Sequence, residues 1–126
     1  MCKLGDIVQI FGATAGHKKY HLCICESDEH SVCKFLFINS HEGWEGDFVL
    51  SDIEIPCLPK SPTGKSVISC NNIAKYNKNQ RDLFKAKTLG VIDKAIVEKL
   101  LSHVSACRTF SRSEKALIKL GLEKLI

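Results

Sequence analysis

The chain has 126 residues, 44% of them hydrophobic and 25% charged, the size and composition of one soluble domain with a core of its own. No apolar run approaches the roughly 18–20 residues needed to cross a bilayer. The N-terminus, with Asp6 soon after Lys3 and no small-residue cleavage pattern, does not read as a secretory leader. A single domain over residues 1–126, cytoplasmic and without a membrane partner, is therefore expected. The net charge of +4 is unevenly divided: residues 1–74 hold 6 Lys/Arg against 9 Asp/Glu (net −3), and residues 75–126 hold 12 against 5 (net +7). A basic second half suits an acidic partner such as nucleic acid or an acidic polypeptide. A lysine-rich, solvated helical surface would carry the same charge.

In chain order, residues 5–12, 20–26 and 31–39 are rich in Val, Ile, Phe and Cys and read as three strands separated by polar turns. Ser27, Asp28, Glu29 and His30 form a short hairpin-like connection between the second and third. The two glycines of residues 41–47 favour a loop. In that loop Trp44 is either a stacking surface or a lid over the core edge, the lid being preferred. Residues 48–50 and 53–58 are short strand candidates, residues 59–65 a turn-rich break, and residues 66–73 a further strand. Residues 72–82 are polar and basic and read as a loop, and residues 84–92 as a last strand interrupted by Gly90. Five or six short strands without intervening helices predict a small barrel or sandwich-like sheet. From Asp93 the apolar residues Ile96, Leu100 and Val104 recur at helical spacing, which predicts a helix over 93–105 capped by Asp93. Ser111 with Glu114 fits a capping box for a final helix over about 111–121, with Gly121 as its C-terminal breaker.

Seven cysteines at irregular spacing contain no Cys-x-x-Cys pair, so neither a zinc ribbon nor a thioredoxin motif is supported. His21, Cys23 and Cys25 fall at period two and share one strand face. They are read as a strand-end histidine with small buried hydrophobes rather than as metal ligands, so no metal and no cofactor is expected. Gly64-Lys65-Ser66 has the tail of a phosphate-binding loop but lacks its earlier glycine and precedes a strand, so it is set aside.

The stronger signal is His17-Lys18-Lys19-Tyr20-His21. Two imidazoles and two cations within five residues can bind a phosphate and exchange protons near neutral pH. Lysine serves as a point-charge phosphate binder, and Tyr20 can stack on an unpaired base. A solvent-facing basic hairpin has the same composition. Asn39 and Ser40, at the end of the third strand, can hydrogen-bond a phosphate or a base edge, or simply cap the strand.

Four places in the chain together resemble the PemK/MazF family of toxin ribonucleases. They are Gly5-Asp6-Ile7-Val8 in the opening strand, the loop of residues 14–17, Ile38-Asn39-Ser40 where the family has Thr-Ser, and residues 66–72 (with Cys70) where it has a strand running into Asp-Gln. The resemblance implies a mainly β, SH3-like small barrel with C-terminal helices. It also implies a metal-independent endoribonuclease acting on single-stranded RNA, with an antitoxin protein and a homodimer as partners. On this reading His17 and His21 would be the acid/base pair and Lys19 would neutralise the phosphate. Lys18, Tyr20, Asn39, Ser40, Asn71 and Lys75 would line the substrate groove. The departures are specific. The family's Arg-Pro step falls on Tyr20-His21, a second arginine falls on Ser69, and its acidic residue falls on Asn71. Loss of such electrostatic contacts can cost roughly 10²–10³ in rate. The alternative expectation is a catalytically inactive nucleic-acid- or protein-binding module on the same scaffold. In the helices, Ile96, Leu100, Val104, Leu117 and Leu120 are available to cover the sheet or a partner subunit.

Overall fold

The structure, a computed structural model, describes residues 2–11, 17–26 and 31–126. The connection expected at residues 27–30, together with Gly12, Thr14, Ala15 and Gly16, lies outside the described residues. The first three strands form where the apolar runs place them: β1 (Asp6–Phe11), β2 (Lys18–Cys25) and β3 (Cys33–Asn39). They pair antiparallel, with Val8 opposite His21 and His21 opposite Phe37. Strands β4 (Asp47–Ser51) and β5 (Lys65–Ser69) pair with each other, and β5 pairs with the C-terminal end of β3. A short β6 (Ala74–Tyr76) takes up the same side of β3 at its N-terminal end. Strand β7 (Lys87–Val91) pairs with β1. The sheet order is β4-β5-β3-β2-β1-β7, with β6 beside β3, seven strands in all among the described residues.

Both faces of the sheet are buried, and so β2 and β3 read as nearly continuous apolar runs. Leu22, Ile24, Leu36, Ile38, Ile68 and Cys70 face one core, which is closed by α2 (Lys94–Ala106) and α3 (Arg112–Leu122). Cys23, Cys33, Phe35, Val8 and Ile10 face a second, smaller core. Asp93 caps α2 by accepting from the Ala95 amide, and Ile96, Val97, Leu100 and Val104 are its buried stripe. Ser111 and Glu114 form the expected capping box of α3.

Four expectations are corrected. The sheet does not close into a barrel: no pairing joins β4 to β7 among the described residues. Instead the segment after β4 packs there, with Cys57 so near Gly90 of β7 that a Cβ on Gly90 would stand 2.8 Å from the Cys57 Cβ. That segment is not a strand. It opens with a 3₁₀ turn, Asp52–Glu54, stabilised by a Ser51/Glu54 capping box. The stretch 72–82 is not a plain loop, since it holds β6 and a six-residue helix α1 (Lys78–Leu83) capped by an Asn77/Gln80 box. Finally, Gly121 does not end a helix. It lies inside α3, where the helix meets β2 so closely that a Cβ would come within 2.1 Å of the Ile24 carbonyl oxygen.

Gly121 yields a prediction whose sign discriminates. On an open helix surface, glycine to alanine gains about 1 kcal/mol of helix propensity. Here the added methyl must push α3 off β2, and overpacking of this kind costs typically 1–3 kcal/mol or more. Gly121→Ala is therefore expected to lower the denaturation midpoint in urea; a raised midpoint would refute the close contact.

Candidate functional site

The widest set of expected site residues meets where β2 begins and β3 ends. Lys18, Lys19 and Tyr20 of β2 and Ile38, Asn39 and Ser40 line a groove of about 340 Å³. Its far wall is the turn-rich segment after the 3₁₀ turn, contributing Leu58, Pro59, Lys60, Ser61 and Pro62, and its floor reaches Lys65 and Ser66 of β5. The register explains the meeting: Tyr20 lies directly opposite Ile38, and Ile38 opposite Ile68. Tyr20 is half-buried, its ring packed against the helix-covered core.

The wall is braced rather than free. Asp52 accepts from the Ser61 amide at 3.1 Å, and its own amide donates to the Gly64 carbonyl at 3.0 Å. The Ser61 and Thr63 hydroxyls lie 3.0 Å apart, and Thr63 donates to the Ser40 carbonyl, tying the wall to the end of β3. The Asn39 amide donates to the Ser69 hydroxyl at 2.8 Å, which orients it and leaves its carbonyl oxygen for another partner. Ser40 Oγ lies 3.1 Å from His41 Nδ1. Of the groove cations, Lys65 pairs with Glu42. Lys18, Lys19 and Lys60 make no ion pair among the described residues, so three positive charges stand around one concave surface without a counterion.

Trp44 is not a lid: it is 74% exposed. Its loop is nonetheless held. One oxygen of Asp47 accepts from the Gly43 and Trp44 amides, each at 3.0 Å, and the carbonyl of Gly46 meets His103 Nε2 at 2.8 Å.

Several expected residues fall elsewhere. His21 is fully buried, on the opposite face of β2 from Tyr20. Its ring sits against Phe35, Phe37 and Tyr76 at centroid distances of 5.7, 4.9 and 5.5 Å. Nε2 lies 3.4 Å from the Tyr76 hydroxyl, and Nδ1 makes no hydrogen bond. Burial pushes its pKa down to about 4, with the backbone of Lys19 and Val8 opposing the shift and the Lys19 charge adding to it. His17 is exposed just ahead of β2, about 13 Å from His21 along an extended chain. The two histidines are therefore not an acid/base pair: one faces water, and the other is held neutral in a core. Asn71 and Lys75 are exposed but do not line the groove. Lys75 lies opposite Lys34, at the end of β3 remote from Ser40.

His21 and Cys23 share a face, as their spacing implies, and both are buried. Burial holds the Cys23 thiol far above its ordinary range. Among the described residues no three His, Cys, Asp or Glu side chains converge as a metal site would require. The sequence does not single out Lys60 and Ser61, and it offers Lys65 and Ser66 only as the end of a phosphate-loop fragment in the wrong context. All four lie 20 to 48 residues from the β2 and β3 contributions. The local signal at Lys60 and Ser61 is no more than the Pro-Lys-Ser-Pro composition of a turn.

The buried histidine gives a pH prediction. The folded state holds His21 neutral, whereas the unfolded chain binds a proton near pH 6.5. Stability is thus full above that value and is lost as pH falls toward 4, by up to about 3 kcal/mol. Denaturant midpoints between pH 7 and 4 should fall less steeply in His21→Phe than in the wild-type chain. Equal slopes would mean that His21 is not a buried neutral group.

Compared with known proteins, the chain matches no protein-family model and no curated protein.

Proposed function

We propose that the chain is a single-stranded RNA-binding module of PemK/MazF-like, SH3-like scaffold, engaging RNA through the groove at the start of β2 and the end of β3. The observation that carries this reading is the set of three uncompensated lysines, Lys18, Lys19 and Lys60, around the half-buried Tyr20. Cations along a groove bind the phosphodiester backbone, and an aromatic side chain beside them stacks a base at about 1–3 kcal/mol. Asn39, held by Ser69, and the Ser40 hydroxyl supply the polar contacts such a strand would use. One of the four places that carry the family resemblance, Asn39-Ser40 at the Thr-Ser position, ends in this groove. Tyr20, on which the family's Arg-Pro step falls, joins it there.

Binding is assigned in preference to cleavage. Scission through a ribose 2′-hydroxyl needs a base and an acid within hydrogen-bond reach of the same phosphate. The histidine pair that would provide them is split between solvent and core. The resemblance adds two partners to the proposal, an antitoxin protein and a second copy of this chain. The exposed Trp44 and Leu120 are apolar groups available to either. Among the described residues no helix is long and apolar enough to cross a membrane.

The test is fluorescence anisotropy with a mixed-sequence single-stranded RNA across salt concentration. Lys18→Ala/Lys19→Ala/Lys60→Ala should weaken binding and flatten the log–log salt dependence by about 2, at roughly 0.7 for each phosphate no longer neutralised. Tyr20→Leu, which keeps an apolar group against the core, should weaken binding about 5- to 100-fold with the salt slope unchanged. Salt-independent binding would overturn the reading.

The same RNA incubated with the protein in EDTA is expected to remain intact. Fragments ending in 2′,3′-cyclic phosphate would restore the ribonuclease reading, with His17 as the first residue to replace.

A further inference from the structure

A second cationic site lies on the other side of the sheet, away from the groove. Arg81 of α1 is 7% exposed, yet it makes no ion pair among the described residues. Both protons of its Nη1 are used: one bonds the Ser31 carbonyl at 2.8 Å, the other the Tyr76 carbonyl at 2.7 Å. These two bonds fix the plane of the guanidinium. The opposite edge, Nε–H and Nη2–H, makes no hydrogen bond among the described residues. That edge presents two parallel donors, the fork that matches two oxygens of one carboxylate or phosphate.

Arg81 lines a cavity of about 370 Å³ together with Cys2, Lys78, Asp82 and Thr88. Asp82 is already engaged by Lys78 at 2.9 Å. The Thr88 hydroxyl donates to Asp6 at 3.3 Å. Burial raises the Cys2 thiol, and Cys33 adds to the shift, so Cys2 offers a neutral S–H. Lys78 and Asp82 are thus paired with each other, and the buried Asp6 carboxylate behind Thr88 is held by that hydroxyl and by the Lys3 amide at 2.9 Å. This leaves the fork edge of Arg81 as the cationic group of the lining without a hydrogen-bond acceptor among the described residues. An oxyanion seated on the fork would accept two charge-assisted hydrogen bonds from donors that are already oriented by the bonds of Nη1.

We propose that this cavity is a binding site for a small oxyanion, a phosphate or carboxylate group, gripped in bidentate fashion by the Nε–Nη2 edge of Arg81. The site stands apart from the RNA groove, and its test is run in the Lys18→Ala/Lys19→Ala/Lys60→Ala chain so that phosphate cannot report on the groove instead. Isothermal titration with inorganic phosphate, and separately with acetate, at constant ionic strength measures a Kd. Thermal and urea unfolding then follow linkage: anion at 100 times its Kd should shift the unfolding constant about 100-fold.

A response to phosphate alone identifies a phosphate site, and one to acetate alone or to both a carboxylate-tolerant one; either supports the proposal. Arg81→Lys keeps the charge but loses the fork, and should abolish the shift. Should that variant fail to fold, the unsubstituted Arg81 chain still decides. The anion should slow alkylation of Cys2, read by peptide mass mapping, at least tenfold while leaving Cys25 and Cys57 unchanged. Binding of neither anion, or binding that leaves Cys2 reactivity unchanged and survives Arg81→Lys, would overturn the site.

Discussion

The β2–β3 ladder is the constraint on which the rest of this structure depends. With His21 set opposite Phe37 and Tyr20 opposite Ile38, alternate side chains of the two strands enter two different cores. A slip of one residue would send Leu22 and Leu36 to the wrong face and bring His21 under the helices, so the register is strongly determined. Everything later in the chain covers one face or the other. Helices α2 and α3 seal the larger core, while β6, Tyr76 and Phe84 close the smaller one.

The same ladder separates two chemistries that are adjacent in sequence. Tyr20 points to the face that opens into a basic groove, whereas His21 points into an aromatic pocket that holds it neutral. Successive side chains of a strand face opposite ways, which separates Tyr20 from His21. The five-residue basic cluster is thereby divided: His17 is exposed, Lys18, Lys19 and Tyr20 line the groove where β2 begins, and His21 is buried. This division also moves the balance of function from proton transfer toward binding. Lysines without counterions among the described residues attract a polyanion, and the His17–His21 pair expected to shuttle protons beside them is not assembled.

Much of the fold was legible because its signals are local. The apolar runs of β1 to β3, the Asp93 cap and the Ser111/Glu114 box each act within a few residues. What was not legible depends on distant parts of the chain. Asn77 and Gln80 do form a local box, yet α1 is too short and polar to show helical periodicity, and β6 is only three residues long. Gly121 looked like a terminator because the approach of Ile24, nearly a hundred residues earlier, is invisible in sequence. Within the site, Lys18, Lys19, Tyr20, Asn39 and Ser40 were found because strand ends concentrate polar groups. Lys60 and Ser61 were missed because only the fold lays their turn across the ends of β2 and β3. Asn71 and Lys75 were drawn in by the family resemblance, but Asn71 lies in the turn after β5, outside the groove, and β6 sets Lys75 opposite Lys34 at the other end of β3.

The most direct test of the groove is a residue-resolved one, because the basic second half of the chain offers a competing surface. Titration of the ¹⁵N-labelled protein with a short single-stranded RNA should perturb amides of residues 18–20, 38–40 and 58–66. It should leave the lysine-rich outer faces of α2 and α3 unmoved. Shifts confined to those helices would contradict the account and make the RNA contact a property of the solvated basic surface.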